Sequence, residues 1–594
     1  MPVDRIRKLH LRAMELCEKG RWQAAVPVLQ SLTALEPGNV ALLNNLGLAL
    51  WQAGNPAEAE PVFRKALKLE PGNRDLSLQH GEVLCELRRW SEGAEALQFG
   101  MPAASGEYRM ACKSKLALAL THTGNVAASA RLWRSIVRKE PRNALAWNGL
   151  ANAQRRLGQI RAAMHSLTRI TEIDFPSANL HSNLLLTLLS NPSATPDFIY
   201  EQHRDWGRRH TVNVPQLPAP PVSRYRRRLR IGYVSADFGN HSVRFFIEPL
   251  LCHHNRSRFD VHLFVNDRDS IASTNALRSR LLEVGRTWWH DIHALDDDAT
   301  ARLIRKLGID ILIDLSGHTA GHRLGVFARN PALVQATYLG YAASTGLKAI
   351  DFRITDSFAD PPGETERWHS ETLLRVDPCF LSYSPPAEAP EPLRGRRSHV
   401  AFGSFAMLVR ISPRMIRLWA RILNAVPGST LVLKSKVFDD PESRAVTLKR
   451  LAASGLPVDR LRALGFETAR GDHMGRYSEI DVVLDTYPYC GTTTTCEALW
   501  MGLPMVTLCG KTHASRVSGS IFSQLGREEW IAYTEDDYVR KAISLAGSGE
   551  FRTADRRKSR AKMAESPLMD HARHAARFEA ALSNGYKDIG SKHL

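Results

Sequence analysis

The chain has no apolar run of the roughly 18 to 20 residues needed to cross a bilayer. Its opening stretch, MPVDRIRKLHLRAMELCEKG, carries charge throughout instead of an apolar signal core. Both absences lead to the expectation of a cytoplasmic protein with no membrane partner. Cysteine is sparse and scattered, at Cys17, Cys85, Cys112, Cys252, Cys379, Cys490, Cys496 and Cys509. No two of these form a CxxC pair, so neither a zinc site nor a disulfide framework is expected. Two phosphate-binding signatures are also missing, the GxxxxGK[ST] loop and the GxGxxG dinucleotide fingerprint. No DxD-type pair stands at a strand end of the second half. The Asp296–Asp298 run falls in a loop between helical patterns and reads as a helix N-cap cluster.

What is present is length, basic charge and pattern. At 594 residues the chain is too long for one core, so several domains are expected. The net charge of +18 suggests an acidic partner surface, but the arginines are spread along the chain. The densest run, Arg224 to Arg230, leads into a strand pattern and reads as a solvated linker, so nucleic acid is not expected as a partner.

The first third repeats. EPGN begins at Glu36 and again at Glu70, 34 residues on, and EPRN follows at Glu140. Gly20, Gly54, Gly124 and Gly158 precede helical patterns, and Arg88 fills the missing place in the series. Small residues stand five after each marker, at Ala25, Ala59, Gly93, Ser129 and Ala163, where helices must cross closely. Pro37, Pro71 and Pro141 end the second helix of a pair. A period of 34 with these positions in phase predicts tetratricopeptide (TPR) helix pairs stacked into a superhelix. An asparagine ladder along the groove would clamp an extended peptide. Asn45 and Asn183 fit it, while Gln79, Lys115 and Gly149 break it.

After Ser177 the helical pattern continues to about Thr211, and VNVPQLPAPPVSRYRRR marks a linker. Then the period changes. LRIGYVSADF, FDVHLFVND, IDILIDLSG, VQATYLGYA and DFRITD read as buried strands separated by helices. A second set starts near Ser398 with HVAFGSF, STLVLKSK, LRALGF, DVVLDTYP and PMVTL. The expectation is two α/β lobes with mainly parallel sheets and a cleft at the carboxyl ends of their strands. DHARHAARFEAALSNGY predicts an amphipathic helix packing back on the pair.

Thr492 to Thr495 fall on the first turn of a helix that follows a buried strand. Free N–H groups and the helix dipole favour an anion there, and threonine hydroxyls add donors. The plainer alternative is an N-cap at Thr492 followed by β-branched filler. Four threonines at such a turn favour a bound pyrophosphate, with Glu497 placed to accept from ribose hydroxyls.

The stretch LDTYPYCGTTTTCEALWMGLPMVTLCGKTHASRVSGSI resembles the O-linked N-acetylglucosamine transferases and their SPINDLY-like relatives. IGYVSADFGNHS, DLSGHTAGHRL, YLGYAASTGL and DFRITDSFADPPGETERWHSETLLR resemble the same family in the same order. The resemblance implies a TPR superhelix followed by a two-lobed GT-B-type glycosyltransferase that inverts the sugar's configuration without a metal or other cofactor. It implies transfer to Ser or Thr of protein or peptide acceptors held by the TPR groove. The donor implied is UDP-N-acetylglucosamine. Relatives that use GDP-fucose or transfer hexose leave the sugar open, and a repeat scaffold with a weak nucleotide site is the alternative of another class. Residue by residue, Thr492, Thr493 and Thr494 match the pyrophosphate segment, Glu497 a ribose contact, and His473 and Arg470 the surroundings of the base. Arg410, in FAMLVRISP, stands where the family has a lysine on the phosphates. His241 matches a cleft histidine proposed as catalytic base, and His318, after another strand, is expected to line the cleft. His253, His254, His290 and His293 have no such placement. The expected domains are 1–176 (repeats), 177–228 (helical extension and linker), 229–395 and 396–570 (the two lobes) and 571–594 (C-terminal helix and tail).

Overall fold

A computed structural model describes residues 2–173, 177–218, 228–267, 270–393, 398–547 and 556–592. The linker residues 219–227 and the boundaries expected at 176 and 395 lie outside them. The chain divides into two compact units, Met1–Leu157 with Asp439–Val446, and Gly158–Phe438 with Thr447–Leu594.

The first unit is built of helix pairs. Val40–Gln52 and Pro56–Leu69 form one, Arg74–Glu86 and Trp90–Gly100 the next. The repeated E-P-x-N is a hydrogen-bonded turn. Asn39, Asn73 and Asn143 each cap the following helix, accepting from the backbone N–H three residues on at 3.2, 3.1 and 2.9 Å. Their amides donate to Glu36, Glu70 and Glu140 at 2.8, 2.8 and 2.7 Å. The marker glycines are explained by the backbone, since Gly20, Gly54 and Gly124 have φ of 65°, 87° and 103°. Arg88 adopts the same left-handed conformation, φ 58°, without a glycine's freedom. The small residues pack where helices cross. A Cβ at Gly93 would meet Cys85 Sγ at 2.7 Å.

Among the described residues of the second unit, thirteen strands pair in parallel and form two sheets. The first lobe holds β1 (Leu229–Ser235), β2 (Phe259–Val265), β3 (Thr287–Asp291), β4 (Ile311–Asp314), β5 (Val334–Thr337), β6 (Phe352–Thr355) and β7 (Thr372–Arg375). Its order is β3-β2-β1-β4-β5-β6-β7. The second holds β8 (Ala401–Ser404), β9 (Thr430–Lys434), β10 (Leu461–Leu464), β11 (Val482–Leu484), β12 (Met505–Leu508) and β13 (Ile531–Ala532), ordered β10-β9-β8-β11-β12-β13. The strand order reverses between β1 and β4 and again between β8 and β11, the places where open parallel sheets bind ligands. The last helix, His571–Lys592, packs on the first lobe, where Glu579 Oε1 accepts from His254 Nδ1 at 2.9 Å and Asn255 N at 2.7 Å. Asp296 caps Asp297–Leu307 as its sequence suggested, accepting from Ala299 N at 2.7 Å.

Two extension helices, Ala178–Leu188 and Pro196–Thr211, dock on the first lobe through buried histidines around Trp206. The expectation that His318 lines the cleft is corrected here. It is 1% exposed, with Nδ1 on Ser182 Oγ at 2.9 Å and Nε2 on the Thr345 carbonyl at 2.8 Å. Its ring meets Trp206 edge-on at 4.7 Å. It follows a strand's carboxyl end, but the extension covers that end, so it is a packing residue. His203 Nε2 engages the Tyr341 hydroxyl at 2.7 Å, and His322 shares Ser182.

Two predictions arise. Arg88→Gly removes left-handed strain and should raise the stability of the repeats by about 0.5–1 kcal/mol in urea denaturation. A loss of stability would show that the arginine side chain outweighs the strain. Burial pushes His203 and His322 down to about 4 and His181 to about 3. Unfolded, each titrates near 6.5, so folding excludes protons and the docking is fully stable only above about pH 6.5. That stability drains away as pH falls from about 6.5 toward 4, on the order of 3 kcal/mol per histidine. The melting temperature should hold between pH 8 and 7 and fall below 6.5, less steeply in His322→Gln. A profile flat to pH 5 would contradict this.

Candidate active site

The two switch points carry most of the sequence-predicted residues. His241 lies in the loop after β1, Arg410 in the turn after β8, and Thr492–Thr494 after β11. The loop from β11 turns on Asp485, which is 3% exposed. Its Oδ1 accepts from Thr486 N at 2.8 Å and Gly491 N at 2.9 Å, and its Oδ2 from Thr507 Oγ1 at 2.7 Å. Burial pushes this carboxyl above its ordinary range, while its hydrogen bonds act in the opposite direction.

Gly491 must be glycine, because a Cβ there would stand 2.3 Å from Thr495 Oγ1 and 2.9 Å from Thr494 Oγ1. Helix Thr493–Trp500 then begins, and Thr492 precedes it with no side-chain cap bond. The four threonines divide. Thr495 is buried and bonds Ser518 Oγ at 3.0 Å. Thr492, Thr493 and Thr494 are partly exposed, and their hydroxyls have no hydrogen-bond partner among the described residues. The helix therefore begins with free N–H groups and three unengaged hydroxyls. Arg410 stands beside them, with Nη1 on the Cys490 carbonyl at 2.8 Å and the guanidinium 3.6 Å over the Tyr489 ring. Its Nε is buried without a partner among the described residues. Cation and helix terminus together make this turn electropositive.

Farther along the helix, Glu497 is 2% exposed and receives donors on both oxygens. Arg470 donates to Oε1; His473 Nε2 and Tyr477 Oη stand 3.1 Å from Oε2. Lys434 Nζ lies 2.7 Å from His473 Nδ1, and burial lowers the Lys434 pKa. Glu497 therefore braces Arg470 and His473. The Arg470 guanidinium lies 4.7 Å over Phe245 of the first lobe, which joins the two lobes at this point. His241 is half exposed, with Nδ1 3.6 Å from Asp237 Oδ1. Burial raises the Asp237 carboxyl.

Sequence reasoning missed Asp485, Tyr489, Lys434 and Tyr477. Asp485 left a signal, a carboxylate ending an apolar strand, whereas the other three needed tertiary structure to be seen. Among the described residues, no group of three or more His, Cys, Asp or Glu could hold a metal ion, and no helix is long and apolar enough to cross a membrane.

Two lobes with doubly wound parallel sheets define a GT-B-type glycosyltransferase fold preceded by helical repeats. The profile of glycosyl transferase family 41 matches residues 215–381 and 396–578, and the chain belongs to that family. Tetratricopeptide profiles match 10–74, 114–174 and 50–112. The chain is 41% identical over 414 residues to the probable UDP-N-acetylglucosamine–peptide N-acetylglucosaminyltransferase SPINDLY of Solanum lycopersicum, covering 69% of this chain and 44% of that one. To the Arabidopsis thaliana protein of the same name it is 40% identical over 421 residues, 70% and 46% covered. It thus spans less than half the length of these curated relatives. A solved mutant of the Thermobaculum terrenum O-GlcNAc transferase superposes with a TM-score of 0.76 at 30% identity, covering 93% of this chain and 98% of that chain.

Asp485→Ala would strand two buried N–H groups and the Thr507 hydroxyl. Chemical denaturation should show a loss of about 2–4 kcal/mol. A loss below about 0.5 kcal/mol would mean that this carboxylate does not hold the loop.

Proposed function

We propose that this chain transfers N-acetylglucosamine from UDP-N-acetylglucosamine to Ser or Thr hydroxyls of proteins recruited by its repeats. The carrying observation is the anion site after β11, where three unengaged threonine hydroxyls and a helix N-terminus meet Arg410. The names of the relatives support the donor and the peptide acceptor.

The acceptor oxygen attacks the anomeric carbon as the bond to the diphosphate oxygen breaks, and the nucleoside diphosphate leaves with the electron pair. A single displacement inverts the anomeric configuration. Arg410 and the N–H groups of the helix start take up the charge that develops on the leaving group, so the reaction proceeds without a metal. Arginine in place of lysine brings a planar fork rather than a point charge. Its Nη1 is spent on Cys490, leaving the remaining N–H groups for the phosphates. His241, half exposed and backed by Asp237, is the candidate base for the acceptor proton. Arg470 and His473, fixed by Glu497, flank the nucleoside.

Titration calorimetry with UDP and with GDP, magnesium absent, tests this reading. Micromolar UDP binding is expected, and Arg410→Ala should weaken it by about 1.5 kcal/mol or more. Preference for GDP would move the donor to a GDP-sugar such as GDP-fucose. No binding of either would leave a repeat scaffold whose threonines serve only the helix.

A further inference from the structure

A second cavity, of about 450 Å³, lies in the second unit among Ile199 and Tyr200 of the extension, Trp368 and His369 of the first lobe, and Tyr487 and His513 of the second. Neither Arg410 nor Thr492–Thr494 lines it. Asp360 lies in its wall, fully buried. Its Oδ2 accepts from Thr355 Oγ1 at 2.5 Å and from His513 Nδ1 at 2.7 Å. Its Oδ1 faces His369 Nε2 at 3.4 Å. Yet Asp360 Oδ1 and His369 Nδ1 are both buried without a hydrogen-bond partner among the described residues, on side chains only 0% and 4% exposed. Burial alone would raise the Asp360 carboxyl; the His513 and His369 rings override it and hold it well below the usual range. Asp360 is therefore an ionised acceptor. With Nε2–H turned toward it, His369 leaves a lone pair on Nδ1.

The His369 Nδ1 lone pair, and an Asp360 oxygen met only by the long 3.4 Å contact from His369, call for a ligand that brings donors. The charges in the lining balance, Asp360 and Glu535 against Lys511 and Arg414, with Glu535 and Arg414 paired to each other, so a neutral ligand suits the space. Trp368, Tyr200 and Tyr487 add flat aromatic faces to a lining that also carries the hydroxyls of Ser344, Thr365 and Thr534, and two of these rings are fixed in place. Trp368 Nε1 donates to Asp197 at 2.9 Å, and Tyr200 Oη donates to the His369 carbonyl at 3.2 Å. Aromatic faces beside paired acceptors suit a ring with one apolar face and an edge of hydroxyls. We propose that this cavity is a second saccharide pocket, holding one neutral pyranose by its hydroxyls on Asp360 and His369 and by its C–H face on the aromatic wall. The Cys490 N–H that donates to the Ala514 carbonyl at 2.9 Å links the pocket's lining to the donor turn. Occupancy would therefore be felt one hydrogen bond away from the diphosphate loop.

The probe is methyl β-N-acetylglucosaminide, followed by saturation-transfer NMR on the full chain with UDP present in excess. UDP affinity is read by calorimetry on the same samples. Ring-proton transfer is expected in the wild type. It should fall at least tenfold in affinity in His369→Phe and in Ala194→Trp, which fills the cavity from the extension loop and leaves the Asp360 pair intact. UDP affinity should stay within twofold. The proposal is overturned if the wild type gives no signal, if neither variant weakens it, or if excess UDP removes it and so assigns the sugar to the donor turn. Failure of UDP itself to bind would count against the donor reading alone, because the two variants still locate the sugar.

Discussion

One buried carboxylate at the end of the fourth strand holds the switch loop in each lobe. In the first lobe, Asp314 closes β4 and accepts from Ser316 N at 3.1 Å, Gly317 N at 2.8 Å and Thr337 Oγ1 at 2.8 Å, the last from β5. In the second, Asp485 follows β11 and accepts from two loop N–H groups and from Thr507 of β12. Burial raises both carboxyls, Asp314 to about 6. The pattern is the same, a strand-end aspartate tied to the next strand's threonine and to its own loop. A parallel strand that ends at a switch point has no partner for the N–H groups beyond it, and an acceptor-only side chain supplies one. Remove that acceptor and the loops that carry the chemistry lose their fixed course.

The same logic orders the rest of the site. Glu497 is spent on Arg470, His473 and Tyr477, so these cationic and aromatic groups are held by a buried carboxylate. Arg410 is held by a carbonyl and an aromatic face, and no carboxylate among the described residues pairs with its charge. In the proposed reaction a negatively charged leaving group would meet positive groups that are already oriented, and the reorganisation that water would require would be avoided.

The fold was largely legible. The 34-residue period marked the turns because the turn within each helix pair needs a left-handed residue and the turn between pairs a capping asparagine, both local demands. The strands could be read because parallel sheets buried on both faces give short apolar runs. The threonines could be placed at a helix start because strand, glycine, threonines and helix are contiguous. His318 could not, since its burial depends on helices 136 residues away in sequence, as its bond to Ser182 shows. The engagement of Glu497 was hidden for the same reason. A carboxylate on a first turn looks available until the residues from another helix that cover it are known. The pairing of Asp360 with His369 and His513 joins two lobes and carries no local pattern at all.

Four consecutive threonines are poor helix formers in a helix interior, where β-branching restricts χ1. At a first turn that cost is small, because the preceding turn they would crowd is absent. Here the preceding residue is Gly491, whose missing Cβ gives Thr494 and Thr495 room to turn. Thr495 faces inward and bonds Ser518, anchoring the helix start to the lobe. That anchor fixes the rotation of the turn, and fixed rotation sends Thr492, Thr493 and Thr494 to the open side. A serine run would offer the same hydroxyls with looser χ1, and a valine run the same stiffness without donors. Threonine alone combines a stiff rotamer with a donor, which suits a site that must present several hydroxyls to an anion before the anion arrives.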